Sequence, residues 1–121
     1  MAEKEVKDID SLIDQGLNTD NSELDLREKE LDDEDLIKVL ESDKVKGVTA
    51  LFLEFNDIGD EGLKALAASD KMKFLTALNL FKNKVTDEGL KALAEAKTML
   101  NLSELILSDN EITADGAKAV A

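Results

Sequence analysis

Cysteine and histidine are both missing from this chain. Without them there is no disulfide, no thiolate or imidazole metal ligand, and no Ser-His or Cys-His pair to make a nucleophile. Tryptophan and tyrosine are missing as well, and four phenylalanines are the whole aromatic complement of 121 residues. The core must therefore be built from Leu, Ile, Val, Ala and Met, in many similar aliphatic layers. Positive charge is scarce: 28 acidic side chains face 15 basic ones, for a formal charge of −13. Such a chain repels a phosphate backbone instead of releasing its counterions, which argues against nucleic acid as a ligand. No apolar run approaches the length of a signal-peptide core or a membrane span, so no membrane partner is expected and the cytoplasm is the expected location. The six glycines fall in no phosphate-cradling pattern, neither G-x-x-x-x-G-K-[ST] nor G-x-G-x-x-G. The length leaves room for one domain.

What the chain does have is leucine at a fixed interval. Leu24, Leu51, Leu78 and Leu105 stand 27 residues apart, and Leu26, Leu53, Leu80 and Leu107 repeat the spacing. Leu31, Ile58, Val85 and Ile112 do the same, as do Leu36, Leu63, Leu90 and Ala117, and then Val39, Leu66, Leu93 and Val120. A period of this length means stacked supersecondary units, each unable to bury its apolar face without the next. Within one unit, Leu51 and Leu53 alternate as in a short strand, and Asn56 and Ile58 then break the alternation at a turn. Leu63, Leu66 and Ala67 follow at helical spacing, with Lys64 on the opposite side. The acidic pairs Asp60-Glu61 and Asp87-Glu88 suit the partial positive charge of a first helical turn. Val45, Met72 and Met99 are the apolar residues of the return loops and are expected to fill the gap between layers.

The strand signature Leu-x-x-Leu-x-Leu-x-x-Asn-x-Ile/Val recurs in full from Val48, Leu75 and Leu102, and Asp-Glu-Gly-Leu-Lys-Ala-Leu-Ala follows it in the second and third copies. This pattern resembles the leucine-rich repeat, in its ribonuclease-inhibitor-like subclass, over about residues 21 to 121. The resemblance implies an α/β fold: a right-handed solenoid in a horseshoe arc, with a concave parallel β-sheet and convex α-helices. The expected repeats are 21–47, 48–74, 75–101 and 102–121, after an N-terminal capping helix and linker at 1–20. The resemblance also gives Asn56, Asn83 and Asn110 an inward-pointing amide that bonds backbone groups at the turn, forming a structural ladder. Gly62, Gly89 and Gly116 are expected where a helix closely approaches neighbouring backbone.

The first copy departs from the pattern, with Lys29 at the Asn position, Asp35 at the Gly position and Asn21 at the opening apolar position. An atypical terminal repeat reads as a cap. Upstream, Val6, Ile9, Leu12 and Ile13 share one helical face, so residues 3 to about 15 are expected to form a helix that covers the N-terminal end and stops at Gly16. At the other end no polar unit follows the strand through Leu105 and Leu107. That open edge predicts self-association or a chain that continues beyond it.

Acidic excess concentrates in the first 47 residues, most densely from Glu28 to Asp35. Two readings stand: a solvated helix start enriched in acids, or a site for a divalent cation or a basic partner. Catalysis has little to draw on, since only carboxylates and lysines are present as acids or bases and their positions are exposed. No catalytic residue, cofactor or metal is expected.

Binding is sought instead on side chains that flank the buried leucines and point out of the sheet. These are Glu23, Asp25 and Arg27, then Ala50, Phe52 and Glu54, then Ala77, Asn79 and Phe81, then Glu104, Ile106 and Ser108. Phe52, Phe81 and Ile106 form an apolar centre, with Phe55 just beyond the strand, and Asp25, Arg27 and Glu54 form a charged flank. The composition is that of an interaction hot spot. A protein-recognition scaffold is the expected function, in the manner of an inhibitor or a bacterial effector. The 14 lysines against one arginine and the absence of proline lean toward a bacterial source. Alternatives are a GTPase-activating protein, since one such group shares this repeat subclass, whose activity here would be lost on changing Arg27 or Asn56, or a fragment of a longer solenoid.

Overall fold

In the computed structural model, which describes residues 6–118, strands and helices alternate along the chain. The opening helix α1 (Ile9–Gly16) precedes β1 (Glu23–Asp25), α2 (Asp33–Leu40), β2 (Ala50–Phe52), α3 (Asp60–Ala67), β3 (Ala77–Asn79), α4 (Asp87–Ala94), β4 (Glu104–Ile106) and α5 (Ala114–Lys118). Short 3-10 turns at Asp43–Val45, Asp70–Met72 and Lys97–Met99 carry the chain from helix to next strand. The four strands form one parallel sheet in chain order, and Leu24, Leu51, Leu78 and Leu105 pair in register across it. Strands in a sheet lie about 4.8 Å apart, whereas packed helices need about 8–10 Å. One helix per strand therefore fans the helices outward on the convex side and leaves the sheet on the concave one.

The core lies between the layers and follows the sequence period. Leu24, Leu26, Leu51, Leu53, Leu78 and Leu80 enter it from the strands; Leu36, Leu63 and Leu66 enter it from the helices; Leu31, Ile58 and Val85 close it at the turns. Val45, Met72 and Met99 are buried in the 3-10 turns, where they plug the side opposite the strand exits. None of the described helices is long and apolar enough to cross a membrane.

Two expectations at the N-terminal end need correction. The helix starts at Ile9, not near residue 3, because the Asp8 carboxylate accepts the Ser11 amide at 3.1 Å and so caps it there. Val6 falls outside the helix and is 86% exposed, and residues 3–5 lie outside the described residues. Gly16 is the last residue of α1, but no glycine among the described residues has a positive φ, so it does not end the helix through a left-handed cap. Its hydrogen-only side chain has another use. A Cβ there would run into the carbonyl oxygen of Asp25, so Gly16 lets α1 press against β1. Behind it Leu17 forms an antiparallel bridge with Leu24, and the Asn18 amide donates to the Glu23 carbonyl at 3.0 Å. The outer edge of the first strand is thereby paired.

Candidate interaction surface

The sheet is held rigid by three ladders that repeat with the period. Asn56 Nδ2 donates to the Leu26 and Leu53 carbonyls, both at 2.9 Å, and its Oδ1 accepts the Lys29 and Leu31 amides at 3.1 and 3.0 Å. Asn83 bonds Leu53, Leu80 and the Ile58 amide in the same way, and Asn110 bonds Leu80, Leu107 and the Val85 amide. Each amide so ties its own turn to the preceding one and satisfies backbone groups that leave the sheet. The residue before each ladder position takes a left-handed conformation: Phe55, Lys82 and Asp109 have φ near 58, 55 and 58°, and Glu28 in the first copy 54°. In the three later copies the Asn that follows this reversal is turned inward, whereas Lys29 of the first copy is exposed.

The other two ladders use hydroxyls with no role expected from spacing and aspartates expected only to favour their own helix start. Ser22, Thr49, Thr76 and Ser103 also stand 27 apart, and the Thr49, Thr76 and Ser103 hydroxyls each donate to the carbonyl one repeat earlier, at 3.3, 3.1 and 3.3 Å. On the convex side, Asp33 Oδ1 accepts the Gly59 amide at 2.6 Å, and Asp60 Oδ1 accepts the Thr86 amide at 2.8 Å. Asp87 accepts both the amide and the hydroxyl of Thr113. Each carboxylate thus caps the next helix as well as lying in the first turn of its own. Gly62, Gly89 and Gly116 make room for it: an added Cβ at Gly62 would sit 2.6 Å from Asp33 Oδ1, and those at Gly89 and Gly116 would meet Asp60 and Asp87. The glycine contact is chiefly with a carboxylate, rather than with backbone alone. The Thr113 hydroxyl bond, with its amide, holds the Asp87 carboxyl below the usual carboxylate range.

Part of the acidic run is likewise structural, while Glu28, Glu30 and Glu34 are exposed. Asp32 and Asp35 form a reciprocal capping box at the start of α2, and Asp35 is 4% exposed, paired with Lys7 at 3.2 Å. The helix start is therefore part of the packed end and not simply solvated. Among the described residues no group of carboxylates is arranged to hold a metal ion.

On the concave side Ala50, Phe52, Glu54, Asn79 and Phe81 are half-buried, while Arg27 and Ile106 are exposed. Phe81 meets Phe55 edge-on, ring centroids 5.3 Å apart, and Lys82 Nζ stands 5.5 and 5.7 Å from the two rings. Phe52 borders two shallow clefts, one shared with Glu23, Asp25 and Arg27, the other with Asn79, Glu104 and Ile106. Arg27 is held by Asp25 through two bonds, Nε to Oδ1 at 3.0 Å and Nη2 to Oδ2 at 2.8 Å. The guanidinium keeps the Asp25 carboxyl below the usual range, and the carboxylate raises the arginine in turn. Glu54 Oε2 lies 4.0 Å from Arg27 Nη1, but Glu54 Oε1 is buried with no hydrogen-bond partner in the structure. Asn79 is partly occupied, because its Oδ1 accepts the Phe81 amide at 3.0 Å, as Asp25 Oδ1 accepts the Arg27 amide at 3.1 Å. Sequence reasoning missed the unpaired Glu54 oxygen. Nothing in residue spacing signals an atom whose partner is absent.

Two large apolar side chains stand off this surface. Phe74 and Leu100 are 52% and 84% exposed in or beside the return turns, positions at which the other copies carry Gly47 or Asn101 and Lys46 or Lys73.

No curated protein is similar enough to the chain to count as a relative. The family model described as Leucine Rich repeat matches residues 48–67, 71–94 and 98–121, together more than half of the chain. Repeats of this kind serve generally as protein–protein interaction modules and typically as binding scaffolds without chemistry of their own. With its in-register parallel sheet backed by one helix per strand, the chain belongs to the leucine-rich repeat family.

Proposed function

We propose that this protein recognises a partner protein on the concave sheet, with Phe52, Phe81 and Ile106 as anchors and Ala50, Asn79, Glu54, Asp25 and Arg27 around them. The observation that carries the reading is the apolar set on a backbone fixed by ladders: Phe55, just beyond β2, and Ile106 on β4 are 45% and 38% exposed, beside the half-buried Phe52 and Phe81. Rigid aromatic side chains lose little entropy on docking, which makes them the usual anchors of an interface. A module that works by covering its partner's surface acts as an inhibitor or an effector does. The test is affinity capture from cell lysate with wild-type protein beside the Phe52→Ala and Phe81→Ala variants. Capture of a partner by wild type and its loss from both folded variants is the expected result. Retention by both variants places the site elsewhere.

GTPase activation is less favoured. Arg27 is tied to Asp25, and Asn56 is 7% exposed inside the ladder, so neither side chain is free to enter a nucleotide site. Unchanged GTP hydrolysis by small GTPases in the presence of the protein is the expected outcome. We also propose that the β4 edge, which has no partner strand among the described residues, pairs with a second copy. A molar mass that rises with concentration in light scattering supports this, and a strict monomer argues against it.

A further inference from the structure

We propose that the concave face takes a basic segment of its partner, with an apolar side chain seated on Phe52 and Ile106 and a lysine or arginine beside it paired with the Glu54 carboxylate, which turns its buried oxygen outward to meet the cation. This rests on the concave-face reading above and adds the chemical class of the partner. The first argument is the orphan atom. Glu54 is 12% exposed at its side chain, and its Oε1 has no donor, although a buried carboxylate oxygen without one is costly. Arg27, the neighbouring cation, leaves it unsatisfied: Asp25 holds Nε and Nη2, and Nη1 stands 4.0 Å from the other oxygen, Oε2. Glu54 lines a cleft of about 480 Å3 with Phe55, the acids Asp25 and Glu28 and the cations Arg27 and Lys29, so that three carboxylates face two cations and one long basic side chain balances them. A donor-rich cation entering it would pair with the carboxylate while its stem lies along the Phe55 ring.

The second argument is charge complementarity across the whole sheet. In the two clefts that Phe52 borders, Glu23 and Asp25 lie on one side and Glu104 on the other, and Arg27 is the only cation that lines either. Lys82 stands on the turn after β3 and repels a basic segment from that rim, while Lys29 lines the Glu54 cleft, where the carboxylates outnumber the cations. An acidic segment over the strands would meet Glu23, Asp25, Glu54 and Glu104, and Arg27 there is already held by Asp25. A neutral one would leave Glu54 Oε1 unpaired.

The probe is a library of random linear peptides displayed on phage, selected against the full chain. Selected peptides are then synthesised and their Kd measured on wild type and on the Glu54→Gln, Phe52→Ala and Phe81→Ala variants. Expected are sequences with Lys or Arg next to an apolar residue, binding that weakens as salt rises, and a loss of about tenfold or more on Glu54→Gln and on Phe52→Ala. Glutamine keeps the shape of Glu54 and removes only its charge, and a matching melt confirms that the variant folds. If the variant unfolds, the salt dependence of the wild type decides alone. Peptides that need Phe52 but are acidic or neutral and ignore Glu54→Gln overturn the basic-segment proposal and leave the concave face standing. Peptides indifferent to both Phe variants overturn the concave face and this proposal with it. A selection that yields no binder overturns recognition of a linear basic segment.

Discussion

At the first strand Leu24 and Leu26 are fully buried; at the fourth, Leu105 and Leu107 occupy the same repeat positions and remain partly exposed. The residues are identical, so the difference lies in what stands beside them. Beyond β1 are α1, the Leu17–Leu24 bridge and Gly16 set against Asp25, whereas no strand lies beyond β4 among the described residues. The ladder amide shows the same gradient, with Asn56 and Asn83 buried and Asn110 half-buried. In a one-dimensional stack, stability belongs to interfaces between neighbours and not to the repeat itself. Equivalent substitutions should therefore have unequal effects along the stack.

The largest contrast is in the leucines. Leu78→Ala, between two neighbours, should cost about 2–5 kcal/mol, and Leu105→Ala about 1 kcal/mol, in denaturant melts. Equal losses would mean that β4 is as fully packed as β3. At the covered end, Gly16→Ala should lower stability by about 1–3 kcal/mol, since the new methyl meets the Asp25 carbonyl. Amide exchange should then speed up in α1 and at Leu24 while α3 and α4 stay protected. Protection unchanged throughout would show that α1 is not what seals β1. Within the ladder, Asn83→Ala should cost about 1–3 kcal/mol and Asn110→Ala less, while Lys29→Ala should cost less than about 0.5 kcal/mol because its side chain is exposed.

Acid sharpens the comparison with smaller effects. Asp25 near the covered end and Asp87 near the open one both have carboxyls held below the usual range, by Arg27 and by Thr113 respectively. A depressed folded value means that the stabilisation is complete above the ordinary aspartate range, near pH 4, and is lost as pH falls through the depressed value. Carboxyl titration by NMR should place both midpoints below the ordinary one. Thr113→Val should move Asp87 back up and leave Asp25 where it was; a shift in neither would remove the hydroxyl as the cause. The proposed binding face should depend little on its own side chains for stability. Phe81→Ala should cost about 1 kcal/mol, since it loses the edge contact with Phe55, and Phe52→Ala no more than that. A loss of several kcal/mol at either would place that ring in the core.

Much of this architecture is legible in the residues because a strict period admits one stacking solution. The strand leucines, the helix faces and the plugs at Val45, Met72 and Met99 are visible as apolar positions whose spacing alone decides their direction. Polar periodicity is just as visible once sought: Ser22, Thr49, Thr76 and Ser103, and Asp33, Asp60 and Asp87, repeat as faithfully as the leucines. It escaped because a charge in a first helical turn or a hydroxyl before a strand already has a local explanation, and the bond each makes reaches into another repeat.

The sequence by itself determined the repeat, the alternation of strand and helix, and which face of each element is apolar, since these follow from local periodicity and the burial it requires. That Gly16 is a contact point and not a left-handed cap, that Asp35 is buried, and that Glu54 keeps an oxygen without a donor emerge only from the packed fold. Each of those depends on distances between residues far apart in the chain, which no spacing within a repeat records.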